Sequence, residues 1–365
     1  VHRVLPSRRP PGQLTLVVPG LFGPPRPLPA AAPRFPALES LLVRATVRRL
    51  APESPEGRLL ELFGLHPGAG RELPVAALTR LHDAAETAAA PAPARDERGT
   101  AVWMRADPVH WAVTRGGATL LDAASCRLER AAAEEMAAAV REIYARAGAA
   151  LEVARPQRWY LRLPALPRLL TVPPGMAVGR DLRELLPAGP DRDDWARLAS
   201  EAQMALHASA ANRERERRGE PPINALWCWG AGVLPSPSPS PPWTRAYGDA
   251  EADAEALVPA LARLHDLPYA LFPETAPLAE AQAGERLLAV AGEALRCCRQ
   301  RDEDGWRRCL ERLWEGWLSP AARALRGGRL GALRIVADER EFLLGRYAAW
   351  RFWRRRRPFA AYPRQ

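Results

Sequence analysis

The chain has 365 residues, of which 47% are hydrophobic and 26% charged, with a formal net charge of +10. That length and apolar content support a sizeable core in one to three domains and exclude a disordered or fibrous chain. All 52 Lys/Arg positions are arginine. With abundant Ala and Pro, this reads as a coding bias as much as a selected attraction to phosphates, nucleic acid or anionic lipid.

The five cysteines, Cys126, Cys228, Cys297, Cys298 and Cys309, make no C-x-x-C pair. An odd count in a long chain argues against a disulfide framework and for reduced thiols in a cytoplasmic protein. Leu14–Leu21 is too short to span a bilayer and is broken by Pro19. Arg3, Arg8 and Arg9 before it imitate a signal peptide, but LTLVVPG reads better as a buried strand closed by a turn.

Residues 14–20 open the chain as a parallel-type core strand, and the proline-laden run 24–36 is loop. Apolar spacing predicts helices over 38–50, 59–65 and 74–89. VAALTRLHD in the third echoes VPALARLHD at 258–266, which two amphipathic helices explain without a repeat. The polar stretch 90–100 is a candidate domain boundary. Strands are expected over 101–106 and 111–114 around a turn at Asp107-Pro108, then over 118–122 after the hairpin glycines Gly116-Gly117.

A strong helix follows over 129–146, then strands over 151–153 and 158–163 and one long helix over 193–218. LPSPSPSPP, 234–242, is an extended low-complexity linker. Helices are expected over 251–265, 278–299 and 304–318, and a strand over 333–337. The 304–318 helix carries a stripe of Trp306, Leu310, Leu313, Trp314 and Trp317. Such a stripe packs on a core or on a partner protein's helix. The tail RYAAWRFWRRRRPF clusters Arg351, Arg354, Arg355, Arg356 and Arg357 among rings. Arginines grip phosphates while rings stack on bases or enter a membrane interface; docking of the rings on the core is the plainer reading. Cys297-Cys298, between Arg296 and Arg299, reads as a reactive thiol site or as helix packing.

One stretch departs from this background. EAQMALHASAANRERERRGEPPINALWCWGAGVL, 201–234, contains N-x-x-R-x-x-x-G-x-x-P-x-N-x-x-W-x-W-G-x-G, formed by Asn212, Arg215, Gly219, Pro222, Asn224, Trp227, Trp229, Gly230 and Gly232. Asn212 and Arg215 share a helix face. Gly219 suits a positive φ after a helix. Arg215 with amide donors is able to hold a carboxylate or phosphate, or to pin the helix against WCWG.

This pattern resembles the middle domain of archaeal-type cofactor-independent phosphoglycerate mutases, in the alkaline phosphatase superfamily. The whole chain most resembles a bacterial family often labelled phosphoglycerate mutase or RpfE-type regulatory protein. Arg105-Ala106-Asp107-Pro108, Leu120-Leu121-Asp122 and Arg155–Leu163 extend the likeness upstream, so that it covers 101–234. It implies a two-metal phosphotransfer site, and the sequence departs from that site. Val18-Pro19-Gly20 stands where the family has an Asp-Gly metal motif. Thr171–Met176 stands where it has T-D-T-D-P-H, and no H-x-x-D-x-x-x-H occurs. His82-Asp83 and His265-Asp266 are the best remaining candidates for ligands, and surface or capping roles suit them better.

The expected fold is α/β: a degenerate alkaline-phosphatase-like layer from 1–100 and 243–365, with a smaller α+β domain, 101–234, inserted, and a Pro/Ser linker over 235–242. The expected function is a non-catalytic, regulatory relative without catalytic residues, metal or cofactor. A small anionic metabolite would sit on Arg105, Asn212, Arg215 and Asn224. The alternatives are an active phosphoglycerate mutase or phosphomonoesterase with an atypical site, and a nucleic-acid or anionic-lipid binding module acting through the tail.

Overall fold

The computed structural model describes residues 11–23, 35–66, 72–86, 99–114, 117–121, 126–177, 185–278, 284–351, 353–355, 358–359 and 362. The fold is mixed α/β and divides into two compact units, one made of 1–64 with 238–365, the other of 65–237.

The first unit opens with β1 (Gly12–Val17), α1 (Pro36–Arg44), β2 (Thr46–Arg49) and α2 (Pro55–Leu62). The chain then builds the second unit from α3 (Val75–Glu86), β3 (Val102–Thr114), β4 (Gly117–Leu121), α4 (Arg130–Arg146), β5 (Ala150–Arg155), β6 (Arg158–Leu163), α5 (Pro174–Ala177), α6 (Arg192–His207), α7 (Ala210–Arg217) and β7 (Ala225–Val233). It returns to the first unit with β8 (Arg245–Gly248), α8 (Ala250–Ala254), α9 (Leu257–Leu264), β9 (Tyr269–Leu271), β10 (Arg286–Val290), α10 (Glu293–Gln300), α11 (Glu303–Leu313), a π-turn (Trp314–Leu318), α12 (Ser319–Arg326), β11 (Leu330–Ala337), β12 (Arg340–Gly345) and a 3-10 turn (Arg346–Trp350).

The first unit is built on a seven-stranded sheet in the order β2-β12-β11-β1-β10-β8-β9. β1 lies between β10 and β11 and is parallel to both, while β12 and β2 add an antiparallel edge. A strand buried on both faces needs a nearly continuous apolar run, and LTLVV supplies it with only Thr15 as a polar interruption: Leu14, Leu16 and Val18 on one face are at most 1% exposed, and Thr15 and Val17 on the other at most 5%. The aromatic stripe of α11 and the π-turn faces this core, with Trp306 and Trp317 buried beside Leu310 and Leu313. The end of the chain docks there as well. Phe359 and Tyr362 are buried, and Phe22 lies 5.4 Å from the first ring and 4.7 Å from the second, stacked on it.

The second unit is a five-stranded antiparallel sheet. Alternation sorts its faces. Met104, Ala106, Trp159 and Leu161 pack with α4 and α6, whereas Trp103 and Tyr160 pack with Ala76 and Ala77 of α3. α3 therefore belongs to the inserted unit, although its place in the sequence assigned it to the flank.

Several expected elements take other forms. β3 runs unbroken through Asp107-Pro108. Along the edge opposite β7, residues 106–109 lie between partners β6 and β4, so a ring without an N–H costs no ladder bond there. The helix expected over 193–218 breaks at Ser209, whose hydroxyl caps α7 by accepting from the Asn212 N–H at 3.2 Å. Within 278–299 the run RLLAV is β10, because pairing with β1 and β8 overrides an Ala/Leu helical spacing. The second half of 38–50 is edge strand β2.

Candidate functional site

The 201–234 motif folds as a set of internal clamps. On α7, the Asn212 amide donates to the carbonyls of Leu206 and Ile223, both at 2.7 Å, and its carbonyl accepts from the Ile223 N–H at 2.8 Å. Arg215, 5% exposed, donates to Pro221 O at 3.0 Å and Cys126 O at 2.5 Å, and pairs with Glu220 at 3.1 Å. Gly219 ends the helix at φ +71°. Asn224 brackets the Trp111 backbone, accepting from its N–H at 2.7 Å and donating to its carbonyl at 3.0 Å.

The WCWG end grips different partners. Trp227 donates to Val172 O, and Trp229 to Asp107 Oδ2, both at 2.7 Å. Glu72 accepts from the N–H groups of Gly230 and Thr171, both at 2.9 Å. Burial raises its carboxyl above the usual range, against these bonds. A Cβ on Gly232 would lie 2.6 Å from Pro74 Cβ, so the glycine is what lets the 72–75 segment lie on β7. Burial pushes the Cys228 thiol up to about 12, which leaves it protonated and unreactive at neutral pH.

Arg105 belongs to another network, on the α3 face of the sheet. It forms a two-pronged pair with Asp107, at 2.8 and 2.9 Å, and its guanidinium lies 5.2 Å from the Trp229 ring. Burial works against its charge, but Asp107 outweighs that and holds its pKa above the ordinary value. Next to it Asp83, 0% exposed, accepts from Arg158 at 2.8 and 2.5 Å and from the Tyr160 hydroxyl at 2.7 Å. Burial opposes the Asp83 charge, yet the Arg158 bonds and charge and the Tyr160 bond prevail and hold the carboxyl below the usual range.

Of the four residues expected to hold an anion, Asn212, Arg215 and Asn224 thus act as backbone clamps and Arg105 belongs to a separate network, each bonded to protein groups. Asp83, Asp107 and Glu72 complete those networks and were missed as a set. Asp83 does not take the surface or capping role expected for His82-Asp83. Only their burial distinguishes these acids from the surface, and no local spacing encodes that. The identical LHD of 264–266 ends its helix instead: His265 Nδ1 meets Leu261 O at 2.9 Å, and Asp266 takes φ +52°.

In the first unit, ligands of α/β sheets sit at the carboxyl ends of the strands. There β1 runs into Val18-Pro19-Gly20. The Gly20 N–H donates to Asp338 Oδ1 at 2.9 Å, and Gly20 O accepts from Trp306 Nε1 at 2.9 Å and Cys298 Sγ at 3.5 Å. A Cβ on Gly20 would lie 2.9 Å from Leu295 Cα, so this strand end is closed by packing. After β8, Asp249 accepts from the N–H groups of Ala252 and Glu293, both at 2.9 Å, and burial raises its carboxyl. A cleft of about 550 Å³ lies beside it, reaching Phe272, Trp317 of the π-turn, and the Glu293–Arg312 ion pair of 2.6 Å. Burial raises the Cys297 thiol, against the nearby Arg296, which disfavours the reactive-thiol reading.

The two divalent cations implied by the resemblance do not fit these residues. The carboxylates at the strand ends are engaged by backbone N–H groups, and the Pro19 side chain has no ligating atom. Among the described residues, no group of three His, Cys, Asp or Glu is arranged to hold a metal ion.

The tail is partly absorbed by the first unit. Arg351 donates to Arg44 O at 3.1 Å and Arg354 to Ala45 O at 2.8 Å, whereas Trp353 and Arg355 are exposed. Arg356 and Arg357 lie outside the described residues. Among the described residues, no helix is long and apolar enough to cross a membrane.

No family model matches the chain. The 2,3-bisphosphoglycerate-independent phosphoglycerate mutase of Methanosarcina barkeri is 32% identical over 63 residues, 17% of this chain and 16% of that protein. The match thus spans about a sixth of the relative's length. Two solved structures align over most of the chain. The cofactor-independent phosphoglycerate mutase of Thermoplasma acidophilum has a TM-score of 0.37 at 18% identity, covering 91% of this chain and 89% of that one. The PH0037 protein of Pyrococcus horikoshii has a TM-score of 0.42 at 15% identity, covering 92% and 88%. At those scores the likeness says nothing about a site.

Proposed function

We propose that this chain is a non-catalytic, regulatory relative of the cofactor-independent phosphoglycerate mutases, acting in the cytoplasm. The family link is supported by the 63-residue match to the Methanosarcina barkeri enzyme and by the 201–234 motif. The loss of reaction is carried by one observation. The carboxyl end of the central strand β1 is a packed turn in which Gly20 is bonded to Asp338, Trp306 and Cys298. Phosphoryl transfer by two metals needs an open, acidic cradle with in-line access. Among the described residues, a proline and three protein contacts at this strand end leave no such cradle above β1.

A coupled phosphoglycerate mutase assay and hydrolysis of p-nitrophenyl phosphate, each with added manganese, test the reading. Rates at the no-enzyme background are expected. A manganese-dependent turnover near the ordinary enzymatic range of about 1 s⁻¹ or more would overturn it.

A further inference from the structure

The first unit contains a cleft that plays no part in the packed end of β1 or in the proposed loss of phosphotransfer. It has a volume of about 550 Å³, within the usual span for small-molecule sites. It lies at the carboxyl ends of β9, β8 and β10, which run parallel side by side. Leu271 and Phe272, Asp249 and Ala250, and Ala291 carry those strand ends into its lining. Ligands of α/β sheets sit at such strand ends.

The π-turn forms another wall through Glu315, Gly316 and Trp317. Such turns are rare and occur frequently at functional sites. This one is locked to the 272–276 loop. Gly316 O accepts from the Ala276 N–H at 2.8 Å, and a Cβ on Gly316 would lie 2.5 Å from Glu274 O, so the glycine is what admits the loop. The Phe272 N–H donates to Gly248 O at 2.8 Å, and its ring packs on Trp317 at 4.4 Å. The walls are therefore fixed before any ligand arrives.

The lining carries four carboxylates, Asp249, Glu274, Glu293 and Glu315, against one guanidinium, Arg312, in a chain of formal net charge +10. Two of the four are satisfied by the protein: Asp249 by the N–H groups of Ala252 and Glu293, and Glu293 by Arg312 at 2.6 Å. Arg312 stands three residues before Glu315, the spacing of a helical ion pair, yet it turns to Glu293. The crossing at Gly316 places Glu274 and Glu315 on adjoining walls, both exposed and neither with an ionic partner among the described residues. A cleft lined by one sign of charge focuses its field and attracts the opposite ion. Among the described residues no three His, Cys, Asp or Glu are arranged to hold a metal ion. Beside the acids the lining is apolar, with Leu271 55% exposed and Phe272 half-buried. We infer that this cleft binds a small organic ammonium ion, whose charge is met by Glu274 and Glu315 while its hydrocarbon or aromatic body rests on Leu271 and Phe272.

The test uses the full chain and three probes that carry one phenyl ring on a short chain: 2-phenylethylammonium, 2-phenylethanol and 3-phenylpropionate. Binding is followed by ligand-observed NMR titration at low ionic strength. The ammonium should bind about fivefold or more tighter than the alcohol, the size of two exposed carboxylate contacts. The carboxylate should bind more weakly than the alcohol. In 1 M salt, where the Debye length is about 3 Å, the advantage of the ammonium should shrink to about twofold or less.

Glu274→Gln combined with Glu315→Gln removes both charges from exposed positions. It should bring the ammonium to within about twofold of the alcohol and leave the alcohol unchanged. Ala250→Phe fills the cleft from an exposed position and should weaken both at least about tenfold, with the far-UV spectrum and melting curve retained. No saturable binding at millimolar probe, or binding of the alcohol or carboxylate as tight as that of the ammonium in the unmodified chain, would overturn the inference. An ammonium affinity untouched by the double glutamine variant or by Ala250→Phe would overturn it as well. The probe series in the unmodified chain and the glutamine variant decide it even if Ala250→Phe fails to fold.

Discussion

Asn224 holds Trp111 by both of its backbone groups, accepting at 2.7 Å and donating at 3.0 Å across 113 residues of sequence. A side-chain amide here replaces the backbone partner that a neighbouring strand would supply, and it fixes the register of β3 beside β7. Asn224→Ala removes both bonds and leaves two backbone groups to find water. Chemical denaturation should show a loss of about 1–3 kcal/mol. Asn224→Asp keeps the acceptor but sets a carboxylate oxygen against the Trp111 carbonyl, so at neutral pH it should be at least as destabilising as the alanine.

Arg215 separates the clamp from an anion site. Its guanidinium is bonded to two backbone carbonyls and Glu220. Arg215→Ala is expected to destabilise by about 1.5–3 kcal/mol, the range for hydrogen bonds to a charged group. Calorimetric melts with 3-phosphoglycerate should show no thermal shift for either protein. A shift in the unmodified chain that disappears in Arg215→Ala would restore the anion pocket.

The motif residues were legible as a group because their types and spacing are rare: an Asn and an Arg on one helix face, a glycine after it, and two glycines between tryptophans and an apolar end. Their roles were not. An arginine facing a phosphate and one facing carbonyls have the same spacing, and only the position of Cys126 O, 89 residues away, distinguishes them. The apolar run of β1 was readable because burial on both faces leaves no polar alternation. RLLAV of β10 was not, since its strand state depends on β1 and β8 on either side of it. The cleft wall required Ala276 and Gly316 to bond across 40 residues that have no shared pattern.

The pH dependence of stability should carry the mark of Asp83. Its carboxyl is held below the usual range by Arg158 and Tyr160 against the cost of burial. A depressed folded value contributes stability that is complete above the unfolded aspartate value of about 3.9. That stability is lost as pH falls through the lower folded value. Urea midpoints measured from pH 6 to pH 2 should drop in this window. Asp83→Asn should be less stable at pH 6, with a shallower acid decline. An unchanged acid slope in that variant would show that Asp83 does not carry the effect.

Two glycines of the motif should respond differently to a methyl group. Gly219 has φ +71°, and a Cβ there would meet nothing within 4 Å, so Gly219→Ala carries only backbone strain of about 1–2 kcal/mol. At Gly232 the Cβ would overlap Pro74 at 2.6 Å, and the 72–75 segment must move. Gly232→Ala should therefore cost about 1–3 kcal/mol by overpacking. It should also loosen the Glu72 bond to Gly230, which hydrogen exchange at the Gly230 amide would report as lost protection.

The tail offers the last separation, between a docked terminus and a nucleic-acid or lipid hook. Phe359 is 1% exposed, packs against Phe22 and Phe35, and its N–H donates to Glu39 at 3.2 Å. Phe359→Ala should therefore destabilise the chain by about 3–5 kcal/mol, as truncation of a buried aromatic does. Arg355 is exposed, and Arg355→Ala should leave stability within about 0.5 kcal/mol of the unmodified chain. Retention on heparin across a salt gradient then reads the other role. A binding tail predicts earlier elution of Arg355→Ala with its stability intact, because each lost phosphate contact lowers the salt dependence by about one ion. Identical elution, with Phe359→Ala alone disturbing the fold, is the outcome expected of a terminus held mainly by its aromatic rings.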